Sequence, residues 1–195
     1  VATKMQEHMT IVKINDRLAV YNIDKGIYET RADFFHNVIF WLEPTFSEAK
    51  SNQVIFHLKN MAKEVESTAS RDLVPVKNGI YNKKAKKLEP FSNRYVFTST
   101  IETEYIEEIE APNINGWNMD DWLLDLMSGD GELVKLLWQV ISASLNGNYS
   151  YRKSIWFVGE GNDGKGTLQQ LISNLVGLQN VASLKINQFS ERFTL

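Results

Sequence analysis

From Ser154 to Gly177 the chain reads SIWFVGEGNDGKGTLQQLISNLVG: an apolar run, a glycine-rich loop ending in Gly-Lys, then apolar residues at helical spacing. That order constrains the fold more than any other feature, because few backbone paths connect a strand to a helix through so tight a loop. Ile155, Trp156, Phe157 and Val158 make a short apolar run that predicts a buried strand. Leu168, Leu171, Ile172 and Leu175 recur on one helical face, and Gly177 is placed to close the helix. Between them Gly159, Gly161 and Gly164 permit backbone angles that turn successive N–H groups to one concave side. The helix beyond the loop adds unpaired N-terminal donors and the positive end of its dipole. Such a cradle suits a polyphosphate, so the expected ligand is ATP with Mg2+.

The expected cradle consists of Gly159, Gly161, Asn162, Asp163, Gly164, Lys165, Gly166 and Thr167. Lys165 is the candidate catalytic residue, a mobile charge able to reach the β- and γ-phosphates. After the Gly-Lys of such loops a Ser or Thr usually ligates magnesium. Here Gly166 takes that place and Thr167, one residue on, is the candidate metal ligand. The competing reading is a turn built on Asn162, Asp163 and Gly164, since Asp-Gly is a strong turn signal. The residues after Gly166 have helical spacing, which favours the cradle.

A hydrophobic share of 43% with 23% charged residues is ordinary for a folded chain of 195 residues. No apolar run approaches a membrane span and no signal-peptide pattern opens the sequence, which predicts a cytoplasmic protein without membrane contact. The absence of cysteine excludes disulfides and thiolate zinc sites. A net charge of −3 gives no global attraction to nucleic acid, so DNA contact needs a local patch. His8, His36 and His57 lack an i, i+4 pairing and read as ordinary hydrogen-bonded histidines.

Along the chain, Ile11 to Ile14 and Leu18 to Tyr21 are β-like runs, followed by a turn at Asp24, Lys25 and Gly26 and by Ile27-Tyr28: a small meander. Arg31 to Leu42 predicts a buried helix that stops before Pro44. Ser47 to Glu66 predicts an amphipathic helix with Val54, Leu58, Met61 and Val65 on its inner face. Leu73 to Val76, Ile80-Tyr81 and the stretch around Leu88 read as short strands broken by turns, and Tyr95 to Phe97 as one more. After the acidic stretch Glu102 to Glu110, Pro112 to Gly116 reads as a boundary loop. Asn118 is placed to cap a helix through Trp122, Leu123 and Leu126. Glu132 to Leu145 predicts another, with Leu133, Leu136, Leu137, Val140 and Ser144 inward. Asn146-Gly147 stops it, and Tyr149 to Lys153 connects to the loop strand. No internal repeat is evident.

The fold expected is therefore an α+β N-terminal domain, helices with small antiparallel sheets, leading into the first strand, loop and helix of an α/β P-loop (AAA+-like) domain. The divisions are 1–115 for the accessory domain, 116–150 for a helical subdomain and 151–195 for the truncated start of the NTPase domain. Lys83, Lys84, Lys86 and Lys87 form the strongest basic cluster, which reads either as a phosphodiester contact or as a solvated hairpin tip. The tryptophans at Trp41, Trp117, Trp122, Trp138 and Trp156 read as core residues. Neighbouring acids such as Asp120-Asp121 point apart and do not make a metal site.

Lys77 to Asn82 (KNGIYN), Lys86 to Phe91 (KKLEPF), the helix at Glu132 to Leu145 and the loop FVGEGNDGKGTLQQLISNLVG occur in an order that resembles the phage and plasmid primase-helicases. Their ATPase belongs to helicase superfamily 3, and they are related to poxvirus primase-helicases. The resemblance covers about Leu73 to Leu195. It implies that Gly164, Lys165 and Thr167 bind triphosphate and magnesium, with Gly-Thr after the lysine a known variant of the motif. It also implies that the intact protein is a ring-forming, ATP-driven helicase acting on DNA at replication origins in a bacterial host. Asp163 stands where the family usually carries Asn. An apolar strand ending in paired acids, which such an ATPase requires, does not follow Thr167, and Ala182 to Ile186, a candidate next strand, ends in Asn187. The expectation is of a piece cut inside its ATPase domain and by itself unable to hydrolyse ATP. The alternative is a non-catalytic protein- or DNA-interaction module in which the glycine-rich loop is only a turn.

Overall fold

Alternating apolar residues near the N-terminus build a sheet covered on both faces. The structure, a computed structural model, describes residues 1–146, 153–186 and 188. It forms two compact units, Val1–Thr100 and Ile101–Leu195. In the first, β1 (Ile11–Ile14), β2 (Arg17–Asn22) and β3 (Ile27–Glu29) make an antiparallel meander, and β4 (Lys63–Glu64) adds in parallel beside β1. Asn15 and Asp16, with φ of 49° and 60°, make the two-residue β1–β2 turn with the left-handed backbone that matches strand twist.

Ile11, Leu18 and Val20 face α1 (Ala2–His8), α2 (Ala32–Leu42) and α3 (Glu48–Met61), which contribute Met5, Phe35, Ile39 and Leu58 to one core. Val12, Ile14, Ala19 and Tyr28 form the opposite core with Val65 and Val96. Helix α1 has no strong sequence signal and is held by its buried Met5.

Three sequence expectations change here. Helix α2 is not buried all round: Phe35 and Ile39 are enclosed, whereas Phe40 is exposed and Trp41 is 80% exposed. A helix lying on a sheet buries one stripe only. Helix α3, capped by the Ser47 hydroxyl, ends at Met61 because the backbone becomes extended at Ala62, which lets Lys63–Glu64 pair with β1. Its inner face is Ser51, Val54, Ile55, Leu58 and Ala62, while Met61 is exposed. Tyr95 to Phe97 joins no ladder. Instead the Phe97 and Val96 carbonyls accept from the N–H groups of Tyr28 (2.7 Å) and Thr68 (2.9 Å), and the Tyr28 hydroxyl donates to the Asn93 carbonyl at 2.7 Å.

A second antiparallel meander comes next in the chain: β5 (Leu73–Val76), β6 (Gly79–Asn82) and β7 (Lys87–Glu89). Ile80, its most enclosed residue, packs with Ile27 and Phe97. The two meanders share one hairpin. Val20↔Glu29, Tyr21↔Tyr28 and Asn22↔Ile27 correspond to Ile80↔Glu89, Tyr81↔Leu88 and Asn82↔Lys87. In both, the first Asn accepts from two N–H groups of the tip, those of Asp24 and Lys25 or of Lys84 and Ala85. It also donates to the closing glutamate, Asn22 to Glu29 at 3.1 Å and Asn82 to Glu89 at 2.7 Å. The chain thus does contain an internal repeat, contrary to the sequence expectation. Its shared signal is only an apolar residue, Tyr-Asn, and a glutamate beyond the turn.

The second unit packs α4 (Met119–Leu126), α5 (Gly131–Ser144) and α6 (Lys165–Val176) around Leu123, Leu137, Ile141 and Leu168. Asn118 and Asp130 cap α4 and α5 as side-chain acceptors. Leu133, Leu136 and Ser144, expected inward, are not enclosed, and α5 faces its neighbours with Val134, Leu137, Val140 and Ile141. Apolar residues on most sides of α5 leave the choice of face to its partners. The expected stop at Gly147 and most of the Tyr149 to Lys153 connector lie outside the described residues, as does Asn187. Ala182 to Lys185 forms no strand. Among the described residues no helix is long and apolar enough to cross a membrane.

Candidate functional site

Helix α6 begins where the sequence places it, and its inner residues Leu168, Leu171, Ile172 and Leu175 all join the three-helix core. Gly177, with φ of 90°, closes it by donating to the Ser173 carbonyl at 3.0 Å. The acidic segment secures this end. Thr103 donates its hydroxyl to the Leu175 carbonyl at 2.9 Å, and Glu102 accepts from the Gln179 amide at 2.6 Å. Sequence reading missed that role, because contacts so distant in the chain leave no periodic trace.

The loop before α6 uses left-handed backbone at Asn162 (φ 52°) and Gly164 (φ 83°), and Gly161 sits at φ 116°. Gly164 packs on Leu126 of α4 so closely that a Cβ would overlap it. Glycine is favoured there by its left-handed backbone, whereas the Leu126 methyl, the end of a flexible side chain, can move aside. Leu168 pins the first turn into the core, which leaves Gly166 and Thr167 exposed on the outer side.

The start of α6 differs electrostatically from its neighbours. Helices α3, α4 and α5 each carry a side-chain cap and an acidic residue in the first turn. Helix α6 has neither: Gly164 offers no capping side chain and the first turn is Lys165, Gly166 and Thr167. The anion at this end is the Asp163 carboxylate, which accepts from the Lys165 backbone N–H as well as from its ammonium, so an external anion meets the first N–H groups and the positive end of the dipole by displacing it.

Lys165 is held within the loop. Its ammonium pairs with both carboxylate oxygens of Asp163, directly over Gly159, where a Cβ would collide with that carboxylate. The hydrogen bond from Lys165 holds the Asp163 carboxyl below its ordinary value of 3.8. The structure therefore brings Gly159, Asp163, Gly164 and Lys165 together and leaves Thr167 with its hydroxyl outside the pair.

The preceding segment departs from expectation. Ile155 to Val158 is not a strand and has no ladder partner among the described residues; Trp156 is 75% and Val158 89% exposed. A lone extended segment has nothing to supply its hydrogen bonds or cover its faces. Trp41, Trp117 and Trp138 are also exposed, so the tryptophans are not chiefly core residues. Trp138 instead donates its indole N–H to Asp120 at 3.0 Å, tying α5 to α4.

Residues 40–127 match a protein family described as D5 N terminal like. The match spans α3, the second meander and α4, and supports the primase-helicase resemblance over that stretch. The chain matches no curated protein.

Proposed function

We propose, starting from the D5 N terminal like segment at residues 40–127, that the chain is part of a DNA-replication primase-helicase whose ATPase domain opens with the loop at 159–167. In this reading residues 1–115 are an accessory domain, 116–150 a helical subdomain and 151–195 the start of the NTPase domain. The intact protein is an ATP-driven, ring-forming DNA helicase. Gly159, Gly161, Asn162, Asp163, Gly164 and Gly166 line the phosphate path, Lys165 neutralises the β- and γ-phosphates, and Thr167 ligates magnesium.

The observation that carries the proposal is the start of α6 behind a left-handed glycine that has no capping side chain, with a lysine at the first helical position and no acid in the first turn. Backbone donors there would meet phosphate oxygens, and Lys165 would exchange Asp163 for the ligand. The residues present fit a triphosphate. Thr167 would help to hold magnesium, which would supply neutralisation of the phosphate charge.

A fluorescent ATP analogue titrated against the chain, with and without Mg2+, tests this. Binding that Lys165→Ala weakens roughly ten- to hundredfold, the range for losing a charged hydrogen bond, supports the assignment. Equal binding by both forms refutes it. One observation favours the alternative of a non-catalytic interaction module: Lys165 already has a partner in Asp163. That reading requires no magnesium-dependent nucleotide binding at all.

A further inference from the structure

The repeated hairpin supplies an internal comparison. At the β2–β3 tip stand Ile23, Asp24, Lys25 and Gly26, and Lys25 is paired with Glu29 at 3.1 Å, so its charge is compensated. At the β6–β7 tip the same scaffold carries Lys83, Lys84, Ala85 and Lys86, with Lys87 next in the chain. Lys84 pairs with Asp72 at 3.0 Å. Among the described residues no carboxylate pairs with Lys83, Lys86 or Lys87.

One position of the cationic tip carries a lysine against local backbone preference. The residue entering the closing strand is left-handed in both hairpins, Gly26 at φ 66° and Lys86 at φ 52°. Glycine adopts that conformation freely and lysine does so at a cost, a pattern associated with functional sites. The Asn82 and Glu89 clamp holds the tip in one shape, so the ammonium groups are presented from a fixed turn.

We propose that the β6–β7 tip binds the phosphodiester backbone of duplex DNA without reading its sequence. Clustered ammonium groups complement the dense phosphate charge of a duplex, one per roughly 1.7 Å of axis. The tip from Lys83 to Lys87 has no aromatic residue on which an unpaired base could stack, which disfavours a single strand. The choice of DNA rests on the replication reading. The tip and the glycine-rich loop belong to different compact units and share no residue, so ATP-analogue binding and duplex binding can fail independently.

The test is fluorescence anisotropy with a labelled duplex DNA of arbitrary sequence over a series of salt concentrations. The triple variant Lys83→Gln, Lys86→Gly, Lys87→Gln should bind at least about tenfold more weakly at low salt. Its slope of log affinity against log salt should shrink by about 2 to 3, since each neutralised phosphate contributes about 0.9. Lys25→Gln in the sister hairpin should change neither quantity. The Lys83→Gln, Lys87→Gln double variant, which leaves the backbone of the turn alone, guards against a folding effect and should shrink the slope by about 2. No duplex binding by the parent chain, an unchanged slope in the variants, an equal effect of Lys25→Gln, or tighter binding to the single strand would each overturn the proposal.

Discussion

Asp163 is the residue on which the loop's chemistry turns. Its pairing with Lys165 sets a fixed anion where a phosphate is proposed to bind, so the ligand must displace it. Asp163→Asn keeps the shape and removes the competing charge; we expect severalfold tighter binding of the ATP analogue, read by the same titration. Because the carboxyl is held below its ordinary 3.8, its pairing stabilises the folded loop above that pH and is lost as pH falls through the lowered value. The pair is therefore intact at neutral pH, and an acid titration followed by NMR of the Asp163 carboxyl should show its midpoint below 3.8. In Asp163→Asn that transition should vanish. Lys86 poses the opposite case, a residue whose conformation opposes its identity. Lys86→Gly should raise stability by about 0.5–1 kcal/mol in urea unfolding, the order of a relieved left-handed residue less the added chain entropy of glycine. The same variant should weaken duplex binding, a gain of stability at the expense of function.

Helix α3 shows how an element divides its residues. Leu58 is enclosed beneath the sheet and Phe56, two positions earlier, is exposed. Leu58→Ala should cost about 2–5 kcal/mol through lost burial and an unfilled cavity, whereas Phe56→Ala should stay within about 0.5 kcal/mol, both by denaturant unfolding. The paired hairpins make a matching prediction. Asn22→Ala and Asn82→Ala remove the same set of hydrogen bonds and should each cost about 1–2 kcal/mol; a large difference between them would show that the repeat is one of shape alone. The strands of the two meanders, their turn residues and the Asn118 cap were legible in the sequence because each is fixed by neighbours within a few residues. The end of α3, the inner face of α5 and the absence of a strand at Tyr95 to Phe97 were not, since each depends on a partner distant in the chain.

For the molecule as a whole, separate cores account for the two compact units. Phe35, Ile39 and Leu58 close on one sheet within residues 1–100, and Leu123, Leu137 and Leu168 hold the helices within 101–195. Residues 1–100 expressed alone should unfold cooperatively on heating, monitored by circular dichroism, because every buried residue of that core lies inside the segment. The amino-acid order by itself determined the spacing of the glycine-rich loop, the inner face and closing glycine of α6, the meander turns and the basic tip, all matters of local conformation and periodicity. Only tertiary structure decided that Lys165 is held by Asp163, that Trp41 and Trp156 face outward, and that two hairpins share one clamp. Such outcomes depend on which surfaces meet and which charges fold back on one another, and residue order constrains those encounters without specifying them.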